Sequence, residues 1–528
     1  MKNPEISFHG ASRAVTGSCF RLETETGTIL IDCGLFQGSK TEKELNYRPF
    51  PFTPSDIDAV LLTHAHIDHS GLLPKLVKHG FDGSIHATPA TADLVEVMLL
   101  DSAHIQEVEV RQFNKRAAKR RRRNVTPIYD EIDVRQTIKL LRKTGYDHWF
   151  AVLPGVRGRF WNAGHMLGSA SLELEIKQED GSDLRLLFSG DIGPDFKLLH
   201  PDPEAPGNID FLICESTYGD RDRNDVKPEQ RRQILAREVR EAIKPNGALI
   251  IPSFAVERAQ ELISDLGLLM KEGQVPTVPV YLDSPLAIRA TEVFARHADE
   301  LERDAKFLQG LEGHNLHFSQ SMEQSKALDR LRDFHIVIAA SGMCEAGRIR
   351  HRLKNWLWRE EATVLIVGYQ AQGTLGRILM EGAKNVRIQG DEIAVRARIR
   401  TIDLYSGHAD KTELVDWIKK RLPINKGVFV VHGEENANSE LAETARGFLP
   451  SEKVFSPYLD STYELTPDGA LLCAETAEPR LAPDQVARQD WHNDVTRLIL
   501  DINNQLGSQT DPKSRHELIE KLRQVLES

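Results

Sequence analysis

Residues 63–69 read Thr63-His64-Ala65-His66-Ile67-Asp68-His69 and follow the apolar run at 59–62. Side chains alternate along an extended backbone, so His64 and His66 point to the same side, and Asp68 and His69 fall where a following helix would begin. Neutral imidazoles bind zinc well, and a carboxylate adds the negative charge that lets two cations lie close together. A lone histidine here would usually be structural, but this spacing of three histidines and an aspartate predicts a site for two metal ions.

One cluster cannot complete two coordination spheres, so further ligands are expected at the ends of other strands. Candidates occur in Gly164-His165, in Ser189-Gly-Asp191 and in Val431-His432-Gly-Glu434. Each of them would be a weak signal by itself. Asp32 follows another apolar run, and its carboxylate could orient a ligand imidazole without binding the metal.

Short apolar runs rich in β-branched residues recur along the chain and end in small polar clusters. They lie at residues 28–31, 59–62, 186–188, 211–214, 248–251, 336–340, 364–367 and 428–431. Continuous apolar runs of this length are typical of buried strands. Helical patterns lie between them, for example at 229–243 and 258–271. The pattern predicts a layered α/β protein whose polar groups collect at strand ends.

Composition narrows the class of protein. A chain of 528 residues with 40% hydrophobic and 27% charged residues predicts two or three globular units. It has no apolar run long enough to span a membrane and no secretory signal. Five scattered cysteines without a CxxC pair favour a reducing, cytoplasmic location. A net charge of −11 argues against binding nucleic acid through bulk positive charge, but not against a nuclease that uses bound cations.

Two further segments stand apart. The basic run Lys115–Arg123 is either a solvated helix face or, in a protein that cuts nucleic acid, an arm that grips phosphates. Near the C-terminus, apolar residues at helical spacing run from Trp491 to Leu506, and Gly507 ends that pattern. Asp511-Pro512 then begins a second helix. The two predict a helical hairpin that packs on its own chain or forms a homodimer contact.

The histidine and aspartate motifs together are similar to those of the metallo-β-lactamase superfamily. Glu215–Gly219, Ser406–Asp410 and Val431–Glu434 resemble the three motifs of its β-CASP nucleases, the branch that includes the eukaryotic pre-mRNA 3′-end endonuclease and ribonuclease J. The stretches at 254–261, 283–287, 341–343 and 368–377 resemble the same branch. The resemblance runs from about residue 5 to residue 455 and does not cover the C-terminal hairpin.

The resemblance implies an α/β fold in which an αββα metallo-β-lactamase sandwich is interrupted by an α/β β-CASP insert. The sandwich would take residues 1–215 and 396–460, the insert 216–395, and a C-terminal extension with the helical hairpin 461–528. It also implies two Zn²⁺ ions, with Mn²⁺ as the alternative. One would be held by His64, His66 and His165, the other by Asp68, His69 and His432, with Asp191 bridging them.

Two departures from the branch concern substrate contacts rather than metal ligands. Val256-Glu257-Arg258 stands where relatives often have Gly-Arg, and the segment from Ser341 to Arg348 differs in its middle.

The implied reaction is hydrolysis of a phosphodiester bond. Two cations about 3.5–4 Å apart lower the pKa of a shared water and so supply a hydroxide nucleophile. His408 is the candidate that protonates the leaving oxygen, Glu215 is its carboxylate partner, and Asp68 belongs to both the metal and the catalytic sets. Donors to the phosphate would come from Ser253, Arg258, Ser341, Arg348 and Arg377. Arg258 and Arg377 could equally cap helices or pair with acidic residues.

RNA is the expected substrate, because RNA-processing members of the branch keep the late histidine that corresponds to His432, and a cleft between two domains would admit a single strand. Cleavage within the chain and removal of nucleotides from a 5′ end both remain open. The alternatives are a small-molecule metallo-hydrolase, a DNA-acting β-CASP nuclease and a non-enzymatic RNA-binding scaffold. The insert of about 180 residues, with motifs of its own, argues against a small substrate, and the complete set of candidate ligands argues against a scaffold.

Overall fold

The structure is a computed structural model. It describes residues 3–38, 40–119, 125–178, 181–195, 197–223, 227–301, 315–370 and 373–474, together with residues 480, 511, 516 and 519–521. The basic run beyond residue 119 and nearly all of the predicted C-terminal hairpin lie outside the described residues. In the described part, no helix is long and apolar enough to cross a membrane.

The first part of the chain builds most of one sheet and the helices that cover it. Its strands are β1 (Glu5–Phe8), β2 (Phe20–Thr24), β3 (Gly27–Ile31), β4 (Ala59–Leu61), β5 (Ser84–Ala87) and β6 (Leu141–Lys143). Its helices are α1 (Lys40–Leu45), α2 (Ile67–Ser70), α3 (Leu73–Lys78), α4 (Pro89–Lys119) and α5 (Glu131–Leu140). Strands β3 to β6 run parallel, so the residues that follow β3 and β4 meet at one edge of the sheet.

The next segment forms most of a second sheet. Its strands are β7 (Phe150–Leu153), β8 (Val156–Asn162), β9 (Ala170–Lys177), β10 (Asp183–Phe188) and β11 (Ile209–Glu215). Strands β7 to β10 pair antiparallel with their neighbours, and β10 pairs parallel with β11. The buried side chains of the two sheets face each other, for example Phe8, Leu22, Phe160 and Leu174.

An inserted α/β unit follows. Its helices are α6 (Pro228–Ala242), α7 (Arg258–Lys271), α8 (Pro285–Arg296), α9 (Met322–Ala327), α10 (Arg348–Trp356) and α11 (Leu375–Met380). Its strands are β12 (Ala248–Pro252), β13 (Val280–Leu282), β14 (Leu316–Phe318), β15 (His335–Ala339), β16 (Ala362–Ile366), β17 (Asn385–Ile388), β18 (Asp391–Ala394) and β19 (Arg398–Thr401). Six of these strands form a parallel sheet in the order β14-β13-β15-β12-β16-β19, and β17 and β18 form a separate hairpin. Apolar residues cover both faces of the six-stranded sheet.

After the insert, the chain returns to both sheets of the first unit. The elements are α12 (Lys411–Lys419), β20 (Ile424–Val431), α13 (Glu435–Arg446), β21 (Val454–Phe455), β22 (Thr462–Leu465) and β23 (Ala470–Ala474). Strand β20 pairs with β11, which completes the order β21-β20-β11-β10-β9-β8-β7, and β22 pairs with β1, which completes the order β23-β22-β1-β2-β3-β4-β5-β6. Short 3-10 turns occur at Pro54–Asp56, Ala298–Glu300, Leu328–Arg330 and Ser451–Lys453.

The architecture is therefore an αββα sandwich with an inserted α/β domain, as predicted. Helices α3, α4 and α5 cover the outer face of one sheet, and α12 and α13 cover that of the other. Each apolar run of the sequence forms a strand, and the helical patterns at 229–243 and 258–271 form α6 and α7. This arrangement brings the ends of β3, β4, β8, β10, β11 and β20 to one edge of the sandwich.

Candidate metal centre

The chain turns sharply after several of these strands. Gly164 and Gly190 precede His165 and Asp191, with φ of +65° and +59°. A side chain on Gly190 would lie 2.7 Å from the carbonyl oxygen of Ala170, so only glycine allows the chain to pass that strand. The turns bring His165 and Asp191 together with His64 and His66 at this edge of the sandwich.

The motif at 63–69 has the expected local structure. Helix α2 begins at Ile67, so Asp68 and His69 lie within its first turn. His66 is the residue that precedes the helix. The motif brings the four side chains together, because the extended residues 62–66 carry two of them and the helical turn carries the other two.

Three imidazoles and one carboxylate form the first group. His66 Nδ1 lies 3.2 Å from His64 Nε2 and 3.1 Å from His165 Nε2. Asp191 Oδ2 lies 3.5 Å from His64 Nε2 and 3.7 Å from His165 Nε2. A tetrahedral zinc ion with Zn–N distances of about 2.0–2.1 Å separates its ligand atoms by roughly 3.3 Å. The group has the dimensions of a tetrahedral site.

The second group shares Asp191 with the first. Its other carboxylate oxygen, Oδ1, lies 3.3 Å from His69 Nε2, which is 3.1 Å from His432 Nε2. Asp68 Oδ2 lies 3.8 Å from the same atom of His432. One aspartate thus presents one oxygen to each group.

Neighbouring groups fix the orientation of the imidazoles. His165 Nδ1 donates to the main-chain oxygen of Gly407 over 2.6 Å, and His69 Nδ1 donates to Asp32 over 2.7 Å. Because both acceptors lack hydrogen, Nδ1 of each ring carries a proton, and Nε2 presents a lone pair to the cluster whenever the ring is in its neutral, metal-binding form. Thr63 donates its hydroxyl hydrogen to Asp32 and lies 3.1 Å from His64 Nδ1, which orients that ring as well.

The three imidazoles of the first group face one another with few protons between their ring nitrogens. Burial lowers the pKa of His66 to about 4 and takes the pKa of His64 and His165 well below the ordinary histidine value, so the three rings are neutral at pH 7. Among the described residues, Asp191 Oδ1 is buried without a hydrogen-bond partner. Neutral imidazole nitrogens with free lone pairs, grouped around a carboxylate oxygen that has no hydrogen-bond partner, are suitable ligands for a divalent cation.

The second group differs in its protonation. Burial disfavours the charged form of His69, but the carboxylates of Asp191 and Asp32 outweigh it and raise the pKa. Asp191 and Asp68 likewise raise the pKa of His432 against its burial. A cation that binds to these two rings would displace protons.

His408 lies at the solvent-facing side of the cluster, with 22% of its side chain exposed. Its Nδ1 is 3.4 Å from Glu215 Oε1 and 3.9 Å from Asp191 Oδ2. Glu215 is buried and accepts hydrogen bonds from the main-chain nitrogens of Ile192 and Thr217. The structure thus places a partly exposed imidazole between a fixed carboxylate and the cluster, which is suitable geometry for proton transfer.

The predicted phosphate-binding residues belong to the insert, and each has a partner within the fold. Ser253 is buried and donates to the oxygen of Phe254, and the buried Arg258 donates from Nε to the oxygen of Tyr405 over 2.8 Å. Ser341 accepts from the nitrogen of Ala346. Arg348 forms an ion pair with Asp283 at 2.9 Å, and Arg377 forms one with Glu381 at 2.7 Å. The sequence had left open whether Arg258 and Arg377 have structural partners of their own. In the structure, both of them and Arg348 have such partners.

Sequence reasoning missed several neighbours of the site. Thr217 Oγ1 lies 3.2 Å from His432 Nδ1, and Arg223 donates to the oxygen of His408 over 2.6 Å. Lys197 is buried and donates to the main-chain oxygen of His165. Thr217 lies within a motif already noted, so its position was a usable signal. Single residues such as Lys197 carry no spacing pattern that would reveal them.

Known proteins resemble the chain along most of its length. Residues 13–252 match the sequence profile of the Metallo-beta-lactamase superfamily. Residues 259–379 match that of the Beta-Casp domain. Residues 392–457, which include His408 and His432, match that of the Zn-dependent metallo-hydrolase RNA specificity domain.

Individual relatives come from bacteria and archaea. "Ribonuclease TTHA0252" of Thermus thermophilus is 37% identical over 81% of this chain and 92% of its own length. "RNase J-like protein" of Methanocaldococcus jannaschii is 32% identical, over 83% and 94% respectively. "Transcription termination factor FttA" of Methanosarcina mazei is 31% identical, over 82% and 68%. A crystal structure of a protein of unknown function from Enterococcus faecalis V583 shares the fold, with a TM-score of 0.51 at 12% identity over 87% of this chain and 99% of that one.

Proposed function

Because this chain belongs to the metallo-β-lactamase superfamily, in the branch that carries a β-CASP domain, we propose that it is a metal-dependent ribonuclease that hydrolyses phosphodiester bonds in single-stranded RNA. The observation that carries the proposal is the carboxylate of Asp191 shared between two groups of histidines. The relative named as a ribonuclease and the match to the RNA specificity domain support RNA as the substrate.

Two zinc ions, with manganese as the alternative, are the proposed cofactors. His64, His66 and His165 would hold one ion, Asp68, His69 and His432 the other, and Asp191 would contact both. Divalent cations held there would activate a water molecule for attack and offset the negative charge that develops on the phosphate.

Protein groups supply the remaining proton chemistry. We assign His408 as the group that protonates the leaving oxygen, because it is the partly exposed imidazole beside the cluster. Glu215 holds the protonated ring by its negative charge, and its two main-chain hydrogen bonds keep it in place. Asp68 would contribute through the metal that it binds.

The insert provides the second wall of the proposed substrate cleft. We propose a division into sandwich, insert and C-terminal extension. The predicted bounds are 1–215 and 396–460, 216–395 and 461–528, but β22 and β23 pair into the sheet beside β1, so the sandwich continues to Ala474. Strand β19 pairs with β16, so the insert's sheet continues to Thr401. Direct phosphate contacts by Ser253, Arg258, Ser341, Arg348 and Arg377, a homodimer through the C-terminal region and a cytoplasmic location stay predictions.

The test uses the full chain, stripped of metal and then reloaded with Zn²⁺ or Mn²⁺. A single-stranded RNA is labelled at its 5′ end in one sample and at its 3′ end in another, and a DNA of the same sequence and a thioester serve as alternative substrates. We expect metal-dependent cleavage of RNA only. Early release of mononucleotides would indicate exonuclease action, and discrete fragments would indicate internal cuts.

Two variants accompany this test. His66→Ala removes a candidate ligand and should lose metal and activity together, whereas His148→Ala removes an exposed imidazole that belongs to neither group and should retain both. Full cleavage after exhaustive chelation, or thioester turnover in place of RNA cleavage, would overturn the proposal.

A further inference from the structure

Glu257 immediately precedes helix α7 and has a backbone conformation that glycine adopts more easily than glutamate. Its φ is +74° and its ψ is −70°, and the nitrogen of Arg258 donates to the oxygen of Val256 over 3.1 Å. This three-residue turn is rare and strained, and strained residues persist only where their surroundings hold them.

The carboxylate of Glu257 is held by two buried partners from the other domain. His200 Nε2 lies 2.8 Å and 2.7 Å from its two oxygens, and Lys197 Nζ lies 3.0 Å from Oε1. Burial works against the charge on Glu257, but His200 and Lys197 outweigh it and lower the pKa to about 2. All three side chains are at most 6% exposed.

Lys197 connects this ion pair to the candidate metal centre. The same Nζ atom donates to the main-chain oxygen of His165, whose imidazole belongs to the first group of ligands. An unbroken chain of contacts therefore runs from the start of α7 through one lysine to a candidate metal ligand.

Arg258, the first residue of α7, is connected to the same histidine by a second route. Arg258 donates from Nε to the oxygen of Tyr405, and two residues later the oxygen of Gly407 accepts from His165 Nδ1. Residue 407 packs directly on that ring, since an added Cβ would lie 2.9 Å from its Cε1 atom. Two consecutive residues of the insert are thus connected, through Lys197 and through residues 405–407, to the main chain and the ring of His165.

A gain in stability does not by itself explain why a buried, strained glutamate occupies position 257. A buried ion pair is often no more stable than apolar residues of the same size, and glycine at 257 would remove the backbone strain. We propose that Glu257 is a positioning residue for His165 that acts through Lys197, so that the β-CASP insert sets the geometry of one metal position. This inference rests on the proposed metal centre.

The experiment measures metal binding rather than RNA cleavage. The full-length wild type and the variants Glu257→Gln, Glu257→Gly and Lys197→Met are titrated with Zn²⁺ against a chromophoric chelator. The visible spectra of their Co²⁺ forms are then recorded, because they report ligand geometry. Glu238→Gln is the matched control, since it removes another buried carboxylate that pairs with Arg400 inside the insert. Thermal unfolding of the metal-free proteins shows whether each variant folds.

We expect the affinity of one of the two metal positions to fall roughly tenfold in the three test variants, the size typical when groups behind a ligand are changed. Their Co²⁺ spectra should change, and the control should match the wild type in both measurements. Glu257→Gly separates positioning from stability, because glycine relieves the turn and should fold even if Glu257→Gln does not. Wild-type affinity and spectrum in a folded Glu257→Gly variant would overturn the inference, whereas a wild type that binds no metal would instead overturn the proposed function.

Discussion

The contact between His408 and Glu215 joins a partly exposed imidazole to a buried carboxylate 3.4 Å away. If His408 protonates the leaving oxygen, its loss matters most when that oxygen is strongly basic. We expect His408→Gln to lower kcat on RNA by about 10²–10⁴-fold. On bis(p-nitrophenyl) phosphate, whose leaving group needs no proton, the decrease should be only a few-fold.

The metal content of the His408→Gln variant must also be measured, because a loss of metal would lower kcat as well. His408→Gln should bind as much metal as the wild type, because the proposed ligand set excludes it. An equal decrease on both substrates, with metal retained, would argue that His408 positions the substrate rather than donating a proton.

Asp32 orients the centre without being a proposed metal ligand. Its carboxylate accepts from His69 Nδ1 and from both the nitrogen and the hydroxyl of Thr63. Asp32→Asn replaces the charged acceptor with an amide, so the imidazole of His69 becomes a weaker ligand. We expect metal affinity to fall about 10–100-fold in chelator competition. Unchanged affinity would show that the other contacts are enough to orient His69.

The residues of this centre differ in how far the sequence revealed them. His64, His66, Asp68 and His69 stand close together, so their spacing alone suggested a shared site. The roles of Lys197 and of the carbonyl oxygen of Gly407 come from contacts across 32 and 242 residues. A main-chain oxygen has no signature in the sequence, and a single lysine in a loop has no period, so only the folded structure could reveal these contacts.

At the scale of secondary structure, the start of α12 fixes the segment that carries His408. Asp410 caps this helix by accepting from the nitrogen of Glu413, and the side chain of Glu413 accepts from the nitrogen of Asp410. Asp410 also accepts from the nitrogen of Arg223, whose guanidinium holds the oxygen of His408. The side chain of Asp410 therefore connects the start of α12 to the loop that contains Arg223, and Arg223 in turn holds the main chain of His408.

We expect Asp410→Ala to lower the free energy of unfolding by about 1–2 kcal/mol and also to reduce kcat on RNA. Asp410→Asn is the matched control, because asparagine is an equally good N-cap, and it should retain most of both properties. Urea unfolding and single-turnover cleavage measure the two effects. Equal stability in the alanine and asparagine variants would mean that the cap contributes little here.

Continuous apolar runs such as those at 248–251 and 428–431 were sufficient to predict strands, because burial on both faces leaves no polar position in them. Strand β8 was not among the predicted strands, because polar residues such as Arg157 and Arg159 alternate with buried ones and leave no continuous apolar run. The helical patterns of α6 and α7 were predicted nearly to the residue. The start of α2 at Ile67 agrees with the prediction that a helix begins where Asp68 and His69 fall.

At the scale of the whole molecule, metal binding should contribute to stability. The candidate ligands come from both sheets of the sandwich and from segments on either side of the insert. Unfolding separates them, so metal bound only to the folded state stabilises it, by about 2.7 kcal/mol for one site at a free metal concentration of 100 times its Kd. We expect Zn²⁺ to shift the urea unfolding curve of the metal-free wild type to higher concentrations, but to shift that of His66→Ala less. Identical curves with and without Zn²⁺ would contradict a site assembled by folding.

The net charge of −11 creates a problem for a protein that binds RNA, since both partners are negatively charged. Local positive charge must then compensate, and the densest basic run is Lys115–Arg123, which begins on the last turns of α4. Phosphate contacts make binding weaken with salt, by a slope of about 0.7 for each contact with a single strand on logarithmic axes. The slope of binding affinity against salt concentration therefore measures how many phosphate contacts a basic segment makes.

Replacing Arg120–Arg123 with glutamine should therefore raise KM on RNA at low salt and reduce the salt slope by up to about three, with little change on bis(p-nitrophenyl) phosphate. The charge-matched control replaces four exposed basic residues of α5 and β6, namely Arg135, Lys139, Arg142 and Lys143, and should leave the slope nearly unchanged. Cleavage rates measured across a series of salt concentrations give both slopes. If the two variants behave alike, the run is a solvated surface, and other basic residues must bind the phosphates, such as Arg221 and Arg223, which lie over the ring of Tyr218 next to His408.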